Sequence, residues 1–203
     1  MIKYQLLTAR TVSVVFTPFY LPVTGMVAVF LFSYLRIMPW SYKLTVLLAV
    51  LLFTVFIPTM LIRLYRRYQG WSLLHLLARE QRIIPYVISI ICYFSCYYTL
   101  TAHNVPHIIT SILMAALVVQ ILCALINVWW IISTHTAAIG GVTGGVFAFA
   151  AIFNFNPVWW LCLLIALGGL VGSSRMILRQ HSLSQVTCGF LLGMVAVIVT
   201  ILW

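Results

Sequence analysis

Runs of about 20 apolar residues, the length a helix needs to cross a hydrocarbon core of roughly 30 Å, recur along almost the whole chain, and no other feature restricts its fold as strongly. They occupy residues 11–35, 44–62, 83–101, 106–127, 136–153, 157–172 and 185–203. Seven windows predict seven membrane spans. Six is the alternative, because Pro18 and Pro22 break the first window into a kinked or re-entrant piece. Of the 203 residues, 65% are hydrophobic and 6% are charged, against roughly a quarter charged in soluble domains. A soluble fold has no interior large enough for that much apolar surface. An open sheet leaves backbone groups unpaired in lipid and barrel strands alternate polar with apolar, so the unbroken runs point to helices. The expected fold is an all-α polytopic transmembrane bundle of 6–7 spans, one domain over residues 1–203, with a single membrane-embedded site.

Lys3 and Arg10 precede a first window of about 25 residues, too long for a signal-peptide core and without a small-residue cleavage site, so a retained first helix is expected. Eleven Lys and Arg face a single acid, Glu80, and the formal charge is +10. The polar connections hold most of that charge, which suits anionic headgroups and phosphate esters. With seven spans, the loops at 63–82, 133–135 and 173–184 share the face of the N-terminus. That face carries nine of the Lys and Arg, the other two. Counting positive charge therefore turns the site toward the cytoplasm.

Other signals carry less. Cys92, Cys96, Cys123, Cys162 and Cys188 lie in apolar stretches without metal or redox spacing. His103 and His107 stand four apart, but Pro106 between them spoils a helical metal pair. No metal site and no cofactor are expected. Gly140 with Gly144, Gly141 with Gly145 and Gly189 with Gly193 have the spacing that lets helix backbones meet closely in lipid. Arg63, Arg66, Arg67 and Arg179 read as headgroup contacts and topology signals.

The three loops of the N-terminal face bring together Arg79, Glu80 and Arg82, then Ser133 and His135, then Ser174, Arg175, Arg179, His181 and Gln185. Ionisable groups at membrane depth are costly and mark function unless they reach the interface. Two histidines among arginines form a set suited to phosphoryl transfer. Guanidinium forks match phosphate oxygens in pairs, one imidazole can attack phosphorus, and a second can protonate the leaving alcohol.

The order and spacing of these residues resemble the type 2 phosphatidic acid phosphatase superfamily, integral membrane lipid phosphatases related to vanadium haloperoxidases. The family's third motif, Ser-Arg, five residues, His, three residues, Asp, is matched by Ser174-Arg175, His181 and Gln185. Its middle motif, Pro-Ser-Gly-His, is matched by Ile132-Ser133-Thr134-His135. The first motif, Lys, six residues, Arg-Pro, is looser. His75 holds the lysine spacing to Arg82, Pro85 comes late, and Arg79 is the better stand-in for the lysine. The likeness covers residues 79–185 and extends to short members of Bacteroidetes type that carry Gln at the Asp position.

The resemblance implies a metal-independent enzyme that removes a phosphate or diphosphate from a lipid. Polyprenyl diphosphates such as undecaprenyl diphosphate, phosphatidylglycerophosphate, phosphatidate and lipid A phosphates are the candidate substrates. It implies His181 as the nucleophile forming a phosphohistidine, His135 as the general acid, Gln185 as the residue orienting His181, and Arg79, Arg82 and Arg175 with Ser133 as the phosphate ligands. Phosphorylated lipid and membrane lipids are the implied partners, nucleic acid is not one, and a bacterial inner membrane is the implied location. Many bacterial members face outward, against the charge count. Gln185 brings orientation without the charge of the family's Asp, which keeps open a catalytically inactive relative that binds or transports anionic lipid. A bis-histidine haem protein is a third alternative.

Overall fold

The computed structural model describes residues 2–68 and 83–203. Among them there is no strand, and the helices fall into two compact units, residues 1–21 with 131–203 and residues 22–130. Among the described residues six helices are long and apolar enough to cross a membrane: Trp40–Tyr68, Ile83–Ala102, His107–Trp129, Thr134–Phe153, Val158–Ile177 and Leu183–Leu202. The pair Leu6–Tyr20 and Pro22–Phe30 makes a seventh if it is one broken span. The polytopic all-α bundle expected from the apolar windows is therefore the observed architecture.

The first unit comprises α1 (Ile2–Val15), the 3-10 turn Pro18–Tyr20, α7 (Thr134–Phe153), α8 (Val158–Ile177) and α9 (Leu183–Leu202). Pro18 lacks the N–H that a continuing helix needs, and α1 stops three residues before it. Short turns join α7 to α8 and α8 to α9, so the start of α7, the end of α8 and the start of α9 lie at one end of the unit. α7 packs most extensively on α9, and α8 packs on α1 and α7.

Glycine explains how closely α7 and α9 approach. A Cβ on Gly140 or Gly144 would strike the backbone carbonyl of Phe190 or Met194, and one on Gly193 would strike the carbonyl of Ala137. At the start of the contact, a Cβ on Gly189 would lie 2.6 Å from the Ser133 carbonyl oxygen. Backbone meets backbone along three turns, the packing that small residues at four-residue spacing allow in lipid. On α8, Gly168 and Gly172 admit the Phe190 ring and the Val186 side chain of α9.

The second unit contains α2 (Leu21–Phe32) from Pro22 onward, α3 (Trp40–Leu51), α4 (Ile57–Tyr68), α5 (Ile83–Ala102) and α6 (His107–Trp129). α3 and α4 form one long helix interrupted by a π-type turn at Leu52–Phe56, where Ile57 N–H bonds the Leu52 carbonyl. Pro58 supplies the cause: it has no N–H to donate, and the ladder before it widens. This helix runs past the apolar window through Arg63, Arg66 and Arg67, since arginine stems are long enough to carry their charge outward. Lys43 is buried, donates to the Arg36 carbonyl at 2.6 Å, and places its ammonium 5.2 Å from the Trp40 ring.

Candidate functional site

Each helix end at the crowded end of the first unit is finished by a local device, and these devices place the polar side chains. α8 continues beyond its apolar window through Ser173, Ser174 and Arg175, so Arg175 stands in the last helical turn where a cation complements the helix dipole. The sequence had put these residues in a loop. The difference arises because Ser174 returns its hydroxyl to the Leu170 carbonyl at 2.8 Å, which satisfies the serine inside the helix. The helix then closes in a Schellman turn. Arg179 N–H bonds the Met176 carbonyl at 2.9 Å, Gln180 N–H bonds the Arg175 carbonyl at 3.1 Å, and Arg179 takes the left-handed conformation with φ 52°. That reversal brings His181 back beside the helix end that carries Arg175.

Ser182 caps α9. Its hydroxyl accepts the Gln185 N–H, while the Gln185 side chain accepts the Ser182 N–H at 3.1 Å, a reciprocal capping box. The same Gln185 Oε1 lies 3.3 Å from Nδ1 of His181, which stands just before the Ser182 cap. Because Ser182 N–H fixes the amide with its oxygen toward the cap, the atom facing the imidazole is an acceptor. Nδ1 therefore carries the proton, and Nε2 of a neutral ring carries the lone pair. His181 is buried, at 9% exposure.

Ser133 caps α7. Its side chain accepts Thr136 N–H at 3.5 Å and is fully buried. The phosphate contact that the resemblance implies for Ser133 competes with this capping role, although the hydroxyl proton stays available as a donor. Ser133 N–H bonds the Gln185 carbonyl at 3.3 Å, so the caps of α7 and α9 are tied to each other through the backbone. His135, in the first turn of α7, is partly buried. Its Nδ1 is enclosed without a hydrogen-bond partner, and Arg175 and His181 are both near enough to act on it electrostatically. The positive ends of two helices thus meet at one place, which favours an anion there.

The structure brings His135, Arg175, His181 and Gln185 together, with Ser133 behind them. Arg79, Arg82 and Glu80 lie outside the described residues. One participant was not singled out in the sequence. Arg175 donates from Nη1 to the Ser13 hydroxyl of α1 at 2.8 Å, and the Ser13 backbone is also within reach of His135. Nothing in the run Thr11-Val12-Ser13-Val14-Val15 distinguishes Ser13 from the serines and threonines that back-bond to their own helices. Among the described residues no cluster of His, Cys, Asp or Glu could hold a metal.

Comparison with known proteins gives one partial match. No curated protein and no solved structure matches the chain. A family model described as the PAP2 superfamily matches residues 127–203, a stretch that opens in the last turns of α6 and takes in all of α7, α8 and α9. His135, Arg175, His181 and Gln185 all fall inside it, whereas Ser13, Arg79 and Arg82 do not. Over this stretch, less than half of its length, the chain is similar to the PAP2 superfamily, whose Ser-Arg and His spacing it also resembles.

Proposed function

We propose that this chain is a metal-independent lipid phosphatase of the membrane, working through a phosphohistidine. The match of residues 127–203 to the PAP2 superfamily suggests phosphatase-type chemistry, and six apolar helices among the described residues suggest an integral membrane protein. The observation that carries the reading is the imidazole of His181, held at Nδ1 by Gln185 beside His135 and Arg175. Nε2 of His181 attacks phosphorus, the bond from phosphorus to the lipid oxygen breaks, and His135 delivers a proton to that oxygen. Water then attacks the phosphohistidine, giving a proton to His135, and phosphate departs with His181 restored; from a lipid diphosphate the bond broken first is that to the bridging oxygen, and the lipid monophosphate is the leaving group that His135 protonates. Arg175, with Arg79 and Arg82, balances the charge on the phosphoryl oxygens, the term that usually contributes most to such catalysis. A polyprenyl diphosphate, phosphatidylglycerophosphate, phosphatidate or a lipid A phosphate is the proposed substrate, and a bacterial inner membrane the proposed location.

The test is phosphate release across these lipids by purified protein in detergent without divalent metal, run beside His181→Ala. Release from at least one lipid, abolished in the variant, supports the reading; full activity in the variant removes the nucleophile. Gln185, which brings no charge to the histidine, favours a second reading in which the same pocket binds anionic lipid without turnover. Binding of phospholipid with no phosphate release from any candidate would select it.

A further inference from the structure

We infer that Ser13 of the N-terminal helix is a positioning residue of the site, orienting Arg175. This rests on the proposed phosphatase reading for its functional consequence, though not for its geometry. Three observations carry it. The Arg175 guanidinium donates to Ser13 Oγ at 2.8 Å across 162 residues of sequence, a short bond for a charged donor to a neutral acceptor. Ser13 is buried, at 7% exposure, so its hydroxyl works in a place where few waters can substitute for it. Its backbone also lies within reach of His135, so one short segment of α1 faces both the cation and the imidazole that the proposed chemistry uses.

The bond restricts the orientation of the Arg175 guanidinium. An arginine carries five N–H donors in a planar fork, and committing one Nη1 donor to Ser13 sets the plane in which the others point. A donor turned toward the substrate can then meet a phosphoryl oxygen with less rotamer freedom left to freeze. α1 lies outside the stretch that matches the PAP2 superfamily, yet it packs with that stretch as one compact unit and adds a polar contact that residues 127–203 do not contain.

The experiment compares wild type with Ser13→Ala, Ser13→Thr, Arg175→Ala and the Ser13→Ala/Arg175→Ala double variant, all as full-length protein in detergent. The first readout is the side-chain 15N–1H resonance of Arg175, which reports guanidinium orientation whether or not the protein turns over. The second is affinity for orthovanadate, with phosphate release beside it. Ser13→Ala should shift and broaden the Arg175 resonance and weaken vanadate about tenfold, Ser13→Thr should restore both by keeping the hydroxyl, and Ser13→Ala should add nothing once Arg175 is gone. An Arg175 resonance unmoved by Ser13→Ala, or an equal loss of vanadate affinity with and without Arg175, overturns the inference, since a mere packing defect in α1 behaves that way. If wild type neither binds vanadate nor releases phosphate while the resonance still follows the hydroxyl, the positioning contact stands and the phosphatase reading has failed.

Discussion

Gly189→Ala is the sharpest test of how the fold sets the site, because it adds a single methyl group to a residue that takes no part in chemistry. That methyl would lie 2.6 Å from the Ser133 carbonyl oxygen and 2.7 Å from Thr136 Oγ1, whereas ordinary contact begins at 3.4 Å. The Ser133 oxygen cannot swing aside cheaply. It accepts the Ala137 N–H at 3.0 Å and the Thr136 hydroxyl at 3.1 Å, and both Ser133 and Thr136 are fully buried. The start of α9 must therefore back away by about 0.8 Å, a displacement typical of an overpacked core. The bond from Ser133 N–H to the Gln185 carbonyl is 3.3 Å long already, and that shift takes it beyond hydrogen-bonding range. His181 moves with α9 and His135 stays with α7. Overpacking of this kind costs about 1–3 kcal/mol, and a misplacement approaching 1 Å between reacting groups costs on the order of 10- to 100-fold in rate. Thermal unfolding and phosphate release are measured together, with Gly169→Ala as the control, since a methyl there meets nothing within 4 Å. Wild-type melting and wild-type kcat/KM in Gly189→Ala would show that the contact between α7 and α9 yields freely, and the argument that it holds the two imidazoles in register would be wrong.

Gln185→Leu keeps the backbone link to Ser133 but deletes the acceptor shared by Ser182 N–H and His181 Nδ1. Melting should show a loss of about 0.5–2 kcal/mol from the broken cap, and kcat should fall at least tenfold as His181 loses its fixed tautomer; an unchanged kcat would sink the orienting role. Arg179→Gly should be neutral or stabilising by up to about 1 kcal/mol, because glycine adopts the left-handed turn without the steric cost that arginine bears at φ 52°. A drop in activity with no change in stability would instead make Arg179 a ligand of the substrate. Phosphate release should survive EDTA without loss, and inhibition reversed by one added divalent ion would refute the metal-independent mechanism.

The spans were legible because lipid imposes a crude requirement, some 20 residues with no unpaired backbone, which composition alone can meet. Where a helix stops inside a window is a matter of single residues, and Pro18 and Pro58 signalled their effects unequally. Pro18 announced the broken first window, whereas the widened turn at Leu52–Phe56 depends on how the surrounding helix accommodates one missing donor. The pairing of His181 with Gln185 was suggested by their four-residue spacing, although His181 stands just before the Ser182 cap and not within the helix. The capping box was not, because it depends on α9 beginning at Leu183, two residues ahead of its apolar window. Ser13 was invisible for a different reason. Its partner is 162 residues away, and pairing over that distance is decided by how α1 packs against α8 rather than by any local pattern.

Gln185 at the position where the resembled family's third motif has Asp has two effects that pull in opposite directions, and together they decide between the enzyme and the lipid-binding reading. Geometrically little changes, since Oε1 accepts the same ring N–H and doubles as a cap. Electrostatically the site loses its only negative neighbour among the described residues, for the one acidic side chain of the whole chain, Glu80, lies outside them. What remains is Arg175 and the positive ends of α7 and α9, a potential that favours a phosphoryl anion in the ground state but gives His181, the proposed nucleophile, no help in bearing positive charge. Gln185→Asp should therefore raise kcat and KM together. A carboxylate at this position stabilises the imidazolium, so the acid limb of the pH–rate profile should also move to higher pH, because more alkaline conditions are then needed to free the attacking nitrogen. A variant that binds phosphate as tightly as wild type, with the same kcat, would mean that the partner of His181 carries no electrostatic weight. A variant that turns from inert to active would mean that the natural chain keeps a phosphatase pocket and uses it to hold its lipid.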